Sequence, residues 1–263
     1  MLRQIRQKPA VAGLACIARD LIRDPAALTR WFKCPICRFR GPFTSDYRAS
    51  RRRYARCPGC GGAERHRLQY MVIEQLRTQY RFGEMRALHF APESVFRRRF
   101  QGWFGLYETA DINTTGDVAH RVVDHQLDLR DMQAIPDSSF DFLMASHVLE
   151  HVKEDEAALS EVARVLAPGG IAILPVPLTA SHTIEYPRPV PTEFHHVRAP
   201  GLDYYDRYRK HFSRVEVYTS EDFPEEIQAW SWDDRRHYPN ARCPYREAQP
   251  GPRHLDAVPV CFK

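Results

Sequence analysis

Two sets of residues in this chain have types and spacing that can do chemistry. The first is Cys34-Pro-Ile-Cys37, followed after nineteen residues by Cys57-Pro-Gly-Cys60. Two thiolates separated by two residues can grip one face of a metal ion, because the turn between them points both sulfurs the same way. A second such pair completes a tetrahedral four-sulfur shell, which suits zinc. All four donors are protein thiols, so no position stays open for water. The expected metal is one structural zinc on Cys34, Cys37, Cys57 and Cys60. The other cysteines, Cys16, Cys243 and Cys261, make no disulfide framework, and the pattern fits a reducing, cytoplasmic compartment.

The second set is histidine-rich. His147-Val-Leu-Glu-His151 carries two imidazoles and a carboxylate within five residues, and His195-His196 follow further on. Unperturbed imidazoles titrate near working pH, so His147, His151, His195 and His196 are the candidates to hold or move a proton. On a helix, His147 and His151 would share a face with Glu150 beside the second, which matches the inverted zinc-peptidase motif.

The elements around that set argue for a sheet edge. A polar turn at Asp137 opens a short apolar run, Phe140 to Ala145, which reads as a buried strand. From Lys153 to Leu166 the apolar positions Ala157, Ala158, Val162, Val165 and Leu166 recur at helical spacing, and Pro168-Gly169-Gly170 stops the helix. Ile171 to Val176 is a second buried strand. A strand–helix–strand unit of this kind builds a parallel sheet, and ligands sit at the carboxyl ends of such strands. That edge carries Ser146, His147 and His151.

Upstream, Glu64 to Tyr80 is an amphipathic helix, Met85 to Phe90 a first core strand, and Phe96 to Phe100 an arginine-rich helix. Leu106 to Asp111 is a second strand ending in a carboxylate, 21 residues after Phe90, the spacing at which an acidic residue meets a ribose hydroxyl. Val122 to Leu129 is a third strand, with Asp128 near its end. Downstream, a proline-broken segment at about 177–200 carries His182, Glu185, Tyr186, His195, His196 and Arg198 and reads as a lid. Leu202 to Phe212 reads as an aromatic helix, Val215 to Tyr218 as a sixth strand, 221–256 as a polar insertion, and Ala257 to Phe262 as a seventh strand.

Charge is unevenly distributed. Residues 1–81 hold 18 Lys+Arg against 5 Asp+Glu, and the remainder 20 against 28. Arg48 and Arg51 to Arg53 interleave with Tyr47 and Tyr54, so a nucleic-acid partner through the basic N-terminal third is one expectation. A solvated, charged hairpin is the other. The apolar run Val11 to Ala18 is broken by Gly13 and followed by Arg19-Asp20, which argues against a signal peptide, and no run reaches membrane-spanning length.

Seven strands, with helices after the first five, resemble the class I S-adenosylmethionine-dependent methyltransferases. The resemblance rests on Pro136-Asp-Ser-Ser-Phe-Asp141, Ser146-His-Val-Leu-Glu-His-Val152 and Arg164-Val-Leu-Ala-Pro-Gly-Gly170. Leu88-His-Phe-Ala-Pro-Glu93 and Arg65-His-Arg67 are similar to a bacterial subgroup that carries an N-terminal zinc ribbon. The resemblance implies an α/β fold: a doubly wound, seven-stranded, mostly parallel Rossmann-like sheet with an antiparallel last strand. Its domains would be an N-terminal helical segment 1–33, a zinc ribbon 34–62 and a methyltransferase domain 63–263. It implies methyl transfer from S-adenosylmethionine to an unidentified acceptor. The cofactor contacts would be Phe90, Ala91 and Glu93 under the methionine, Asp111 on the ribose, Ile112 on the adenine, Asp128 and Leu129 at the adenine amino group and ring, and Ser146 and His147 at the sulfonium. One departure stands out. His89 occupies the usual acidic slot, and Ala91-Pro92-Glu93 stands where glycines let backbone approach the cofactor. Two rival readings use the same residues: a non-catalytic nucleic-acid-binding protein on a degenerate methyltransferase fold, and the inverted-motif zinc peptidase.

Overall fold

The computed structural model describes residues 29–46, 52–112 and 123–263, together with positions 17, 18 and 22. Most of the expected N-terminal helical segment, Cys16, Tyr47, Arg48, Arg51 and the start of the third strand lie outside the described residues. The chain divides into two compact units, one made of 1–73, 220–234 and 251–256, the other of 74–219, 235–250 and 257–263.

In the first unit, strands β1 (Phe32–Lys33) and β2 (Arg40–Gly41) pair antiparallel, as do β3 (Thr44–Asp46) and β4 (Arg52–Arg56). Helix α1 (Glu64–Gln79) begins here and ends in the second unit. Such short strands cannot bury much surface, so aromatic rings and one arginine supply the core. Tyr54 is 3% exposed and meets Phe32 and Trp232 at ring separations of 5.4 and 5.5 Å. Arg67 has no exposed surface. Its guanidinium donates to the carbonyls of Gln228 (2.9 Å), Ala55 (3.1 Å), Gly62 (2.9 Å) and Tyr54 (3.3 Å) and lies over the Phe43 ring. A buried cation is tolerable only when saturated in this way. These contacts correct the reading of 221–256 as one insertion, since 220–234 packs with β4 and Arg67.

The second unit is a seven-stranded sheet. Its strands are β5 (Arg86–Phe90), β6 (Leu106–Asp111), β7 (His125–Gln126), β8 (Phe140–Ala145), β9 (Leu166–Ile173), β12 (Arg214–Thr219) and β13 (Ala257–Phe262), in spatial order β12-β13-β9-β8-β5-β6-β7. β5, β6, β7, β8 and β9 run parallel; β13 is antiparallel to both neighbours. The apolar run of β8 is buried on both faces, as a central parallel strand requires. On one face Phe142 meets Phe82, Phe100 and Phe104. Helix α2 (Ser94–Trp103) supplies Phe96 and Phe100, and helix α3 (Asp155–Val165) buries Ala158, Leu159, Val162 and Val165. The strand order reverses between β5 and β8, which opens the crevice at their carboxyl ends. β10 (Ile184–Val190) and β11 (His196–Ala199) form a separate antiparallel hairpin.

Several expectations change. The segment expected as a lid contains this hairpin. The aromatic helix expected at Leu202 to Phe212 is instead two short 3-10 turns, Leu202–Asp206 and Tyr208–Lys210, in which Tyr204, Tyr205 and Tyr208 bury and pack edge to face. Helices do not follow each of the first five strands: among the described residues, α-helices follow β5 and β8, a turn joins β7 to β8, and the hairpin follows β9. The third strand is reduced to two described residues. Pro168-Gly169-Gly170 lies inside β9 as a register break. There a Cβ on Gly170 would sit 2.8 Å from the Ala167 carbonyl, so only glycine fits.

Candidate functional site

The four cysteines come together. The Sγ atoms of Cys34 and Cys60 are 3.7 Å apart and those of Cys37 and Cys57 3.5 Å, with all four within 4.8 Å of one another. Zinc–sulfur bonds of about 2.3 Å in a tetrahedron place sulfurs about 3.8 Å apart. The spacing therefore fits a closed four-thiolate shell. Arg67, which the sequence placed beside the second pair without a role, faces these sulfurs electrostatically.

Among the described residues, the basic interleave is spent on the unit itself. Arg52 pairs with Glu64 and Asp46, Arg56 pairs with Asp46, and Tyr54 is core. Arg53 lies over the Tyr54 ring.

At the carboxyl ends of the second unit's strands, β5 delivers Phe90 and the turn Ala91-Pro92-Glu93. Ala91 adopts φ +45°, the left-handed conformation that glycine usually supplies, and its N–H donates to the Ala110 carbonyl at 2.8 Å. Glu93 is the residue before α2. β6 delivers buried Asp111, then Ile112, an apolar side chain left 51% exposed. His89 points elsewhere: it is buried, with Nδ1 2.9 Å from the Tyr107 hydroxyl. Asp128 is already engaged, because Arg130 bonds both its oxygens (2.7 to 3.1 Å) and holds its carboxyl below the usual range. Leu129 is buried.

β8 delivers Ser146, which is buried, and His147, whose φ is +56° and whose N–H donates to the Pro175 carbonyl at 2.9 Å. Leu149–His151 is a 3-10 turn rather than an α-helix. The paired face of a regular helix that the peptidase motif assumes is therefore absent. The buried carboxylate of Glu150 becomes the centre instead: His147 Nδ1 lies 3.3 Å and His151 Nε2 3.9 Å from its Oε1. Burial alone would push Glu150 up, yet the His147 hydrogen bond and the charges of His151 and His196 hold it at about 2. Burial drives His151 the other way, below the ordinary imidazole value.

The hairpin closes this cluster. His196, at the start of β11, lies edge to face on His151 with ring centroids 4.8 Å apart. Its Nδ1 is 3.3 Å from Glu193 Oε1, and Glu193 also accepts from Tyr186 and Arg246. His195 stands apart, exposed, with its N–H donating to the Val190 carbonyl. Arg198 is the residue whose role sequence reasoning missed. It is 1% exposed and donates to the carbonyls of Leu149 (2.5 Å), Val152 (2.6 Å) and Lys153 (3.1 Å), tying β11 to the turn that carries Glu150 and His151. An arginine inside the otherwise buried run His196 to Ala199 was the available signal.

A sequence profile described as "Methyltransferase domain" matches residues 106–174, from β6 into β9. An S-adenosylmethionine-dependent methyltransferase from Mesorhizobium loti superposes on 78% of this chain and 100% of its own, at 16% identity and a TM-score of 0.50. This is the class I S-adenosylmethionine-dependent methyltransferase fold. A possible histamine N-methyltransferase from Thermotoga maritima aligns over 73% of this chain and 87% of its own (16% identity, TM-score 0.43). The chain also aligns with a Haemonchus contortus phosphoethanolamine N-methyltransferase bound to S-adenosylhomocysteine, over 74% of this chain and 52% of that one (16% identity, TM-score 0.47). No curated protein matches the chain in sequence. Among the described residues, no helix is long and apolar enough to cross a membrane.

Proposed function

We propose that the methyltransferase unit transfers a methyl group from S-adenosylmethionine to an acceptor held at the histidine-lined edge. The observation that carries this reading is the turn after β5. Ala91 takes up the left-handed backbone that the absent glycine would have supplied and ties itself to the end of β6, beside Asp111. A left-handed backbone at this glycine-poor turn supports the reading that it can take a cofactor.

Phe90, Ala91 and Glu93 would hold the methionine end and Asp111 the ribose, with exposed Ile112 against one adenine face and Leu129 near the other. Ser146 and His147 would face the sulfonium. Asp128 could reach the adenine amino group only by giving up part of its hold on Arg130. When bound, S-adenosylmethionine supplies an electrophilic methyl on a good leaving group. The protein's part is to orient the acceptor and exclude water. His147, His151 and His196 surround Glu150 and are the groups that could hold or take a proton from the acceptor; His195, on the exposed bend, would contact it at most. The four cysteines would hold one structural zinc, with buried Arg67 offsetting the negative charge of a four-thiolate shell. With Arg52 and Tyr54 engaged internally, a non-catalytic nucleic-acid role has less to stand on than a transferase.

Calorimetry with S-adenosylmethionine tests the reading. Saturable binding is expected, weakened by substitution of Asp111. Absence of heat at millimolar cofactor would reject it.

A further inference from the structure

We propose that Glu150, His151 and His196 form a site for a divalent first-row transition metal, separate from the cysteine cluster. One carboxylate oxygen and one nitrogen from each imidazole lie within 4.8 Å of one another. Zinc held at about 2.0 to 2.1 Å by nitrogen and oxygen needs donors about 3.3 Å apart. A modest swing of His151, whose side chain is 37% exposed, closes the difference.

Three further observations point to a cation. First, Glu150 is 1% exposed and its Oε2 has no hydrogen-bond partner, a costly arrangement for a buried carboxylate. Second, the groups facing it are imidazoles: His147, His151 and His196. Among the described residues, no arginine or lysine lies within ion-pair distance of it, although buried carboxylates usually have a permanent cation. Third, a second carboxylate backs one imidazole, as at many metal-ligating histidines: His196 Nδ1 lies 3.3 Å from Glu193 Oε1. Arg198 meanwhile pins the turn beneath them through the Leu149 and Val152 carbonyls. Two imidazoles and one carboxylate suit zinc, iron(II) or cobalt(II), and leave coordination positions for water or an oxygen ligand.

This inference does not depend on methyl transfer or on the cysteine cluster; with the ion bound, His151 and His196 act as ligands and His147 is the imidazole left to hold a proton. The test strips the full-length protein of metal, reloads it with cobalt(II) or zinc alone, and counts bound ions in the wild type, His196→Ala and His151→Asn. The wild type should exceed each variant by one ion per chain. The cobalt band lost should be a weak ligand-field band, with any thiolate charge-transfer band unchanged. Cys57→Ser should show the reverse loss. Equal ion counts in the wild type and in both histidine variants, each checked by circular dichroism to be folded, would overturn the site.

Discussion

The four-cysteine cluster and the histidine–glutamate cluster solve the same problem, gathering donor atoms, in opposite ways. In the first, the donors come as two CxxC turns, and the fold has only to bring two pairs together. Its shell is complete in itself, and the nearest charged support, Arg67, is saturated by backbone carbonyls. In the second, Glu150 and His151 sit on a 3-10 turn, and His196 arrives from a hairpin strand 45 residues later. Local contacts join His147 and His151 to Glu150, but nothing local brings in His196. Arg198 and Glu193 do, and both come from the same hairpin. A closed, locally encoded shell suits a structural role. An open, tertiary one suits a site that must meet a ligand.

The sharpest break in this contrast is Cys57→Ser. If the first cluster is structural, losing its metal should cost on the order of 10 kcal/mol of binding free energy. Residues of the first unit should then become protease-sensitive while the sheet's signal persists; an unchanged proteolysis pattern would make the cluster incidental.

Next comes Arg198→Met. Removing the guanidinium strands the Leu149 and Val152 carbonyls and leaves Asp155 and Glu185 with one partner fewer. A loss of about 3–5 kcal/mol is expected in denaturant unfolding. The corresponding change at half-exposed Arg130 should stay under about 1 kcal/mol. Similar losses at the two sites would mean the hairpin is not what holds the histidine cluster.

A smaller effect is expected at the cofactor edge. Asp111→Ala should weaken S-adenosylmethionine binding by about 1.5–3 kcal/mol, the value of hydrogen bonds to a charged group. Calorimetry on a variant with unchanged melting would measure it.

The smallest is Asp128→Asn. Its carboxylate is committed to Arg130, so cofactor affinity should fall by less than about 1 kcal/mol. A loss as large as that at Asp111 would show that Arg130 yields Asp128 to the ligand.

Core strands were legible because buried strands leave continuous apolar runs, as in the parallel β8 (Phe140 to Ala145) and the antiparallel β13 (Ala257 to Phe262). The cysteine shell was legible because its chemistry repeats at a fixed short spacing. The place of Asp111 at the end of β6 was legible from the strand-forming run that precedes it. The peptidase-like histidine motif misled, since one-dimensional spacing assumes a helix that the turn at Leu149 does not form. The aromatic run at 202–212 misled for the same reason: its tyrosines pack through 3-10 turns.

By itself, then, the sequence determined the parallel sheet and the donor set of the cysteine cluster. Each of these is written in local periodicity or spacing. Only the tertiary structure decided that Ala91 could stand in for glycine, that Arg130 holds Asp128, and that His196 and Arg198 close over Glu150. Those depend on backbone angles and long-range contacts, where the energy of burying a charge is settled by residues far apart in the chain.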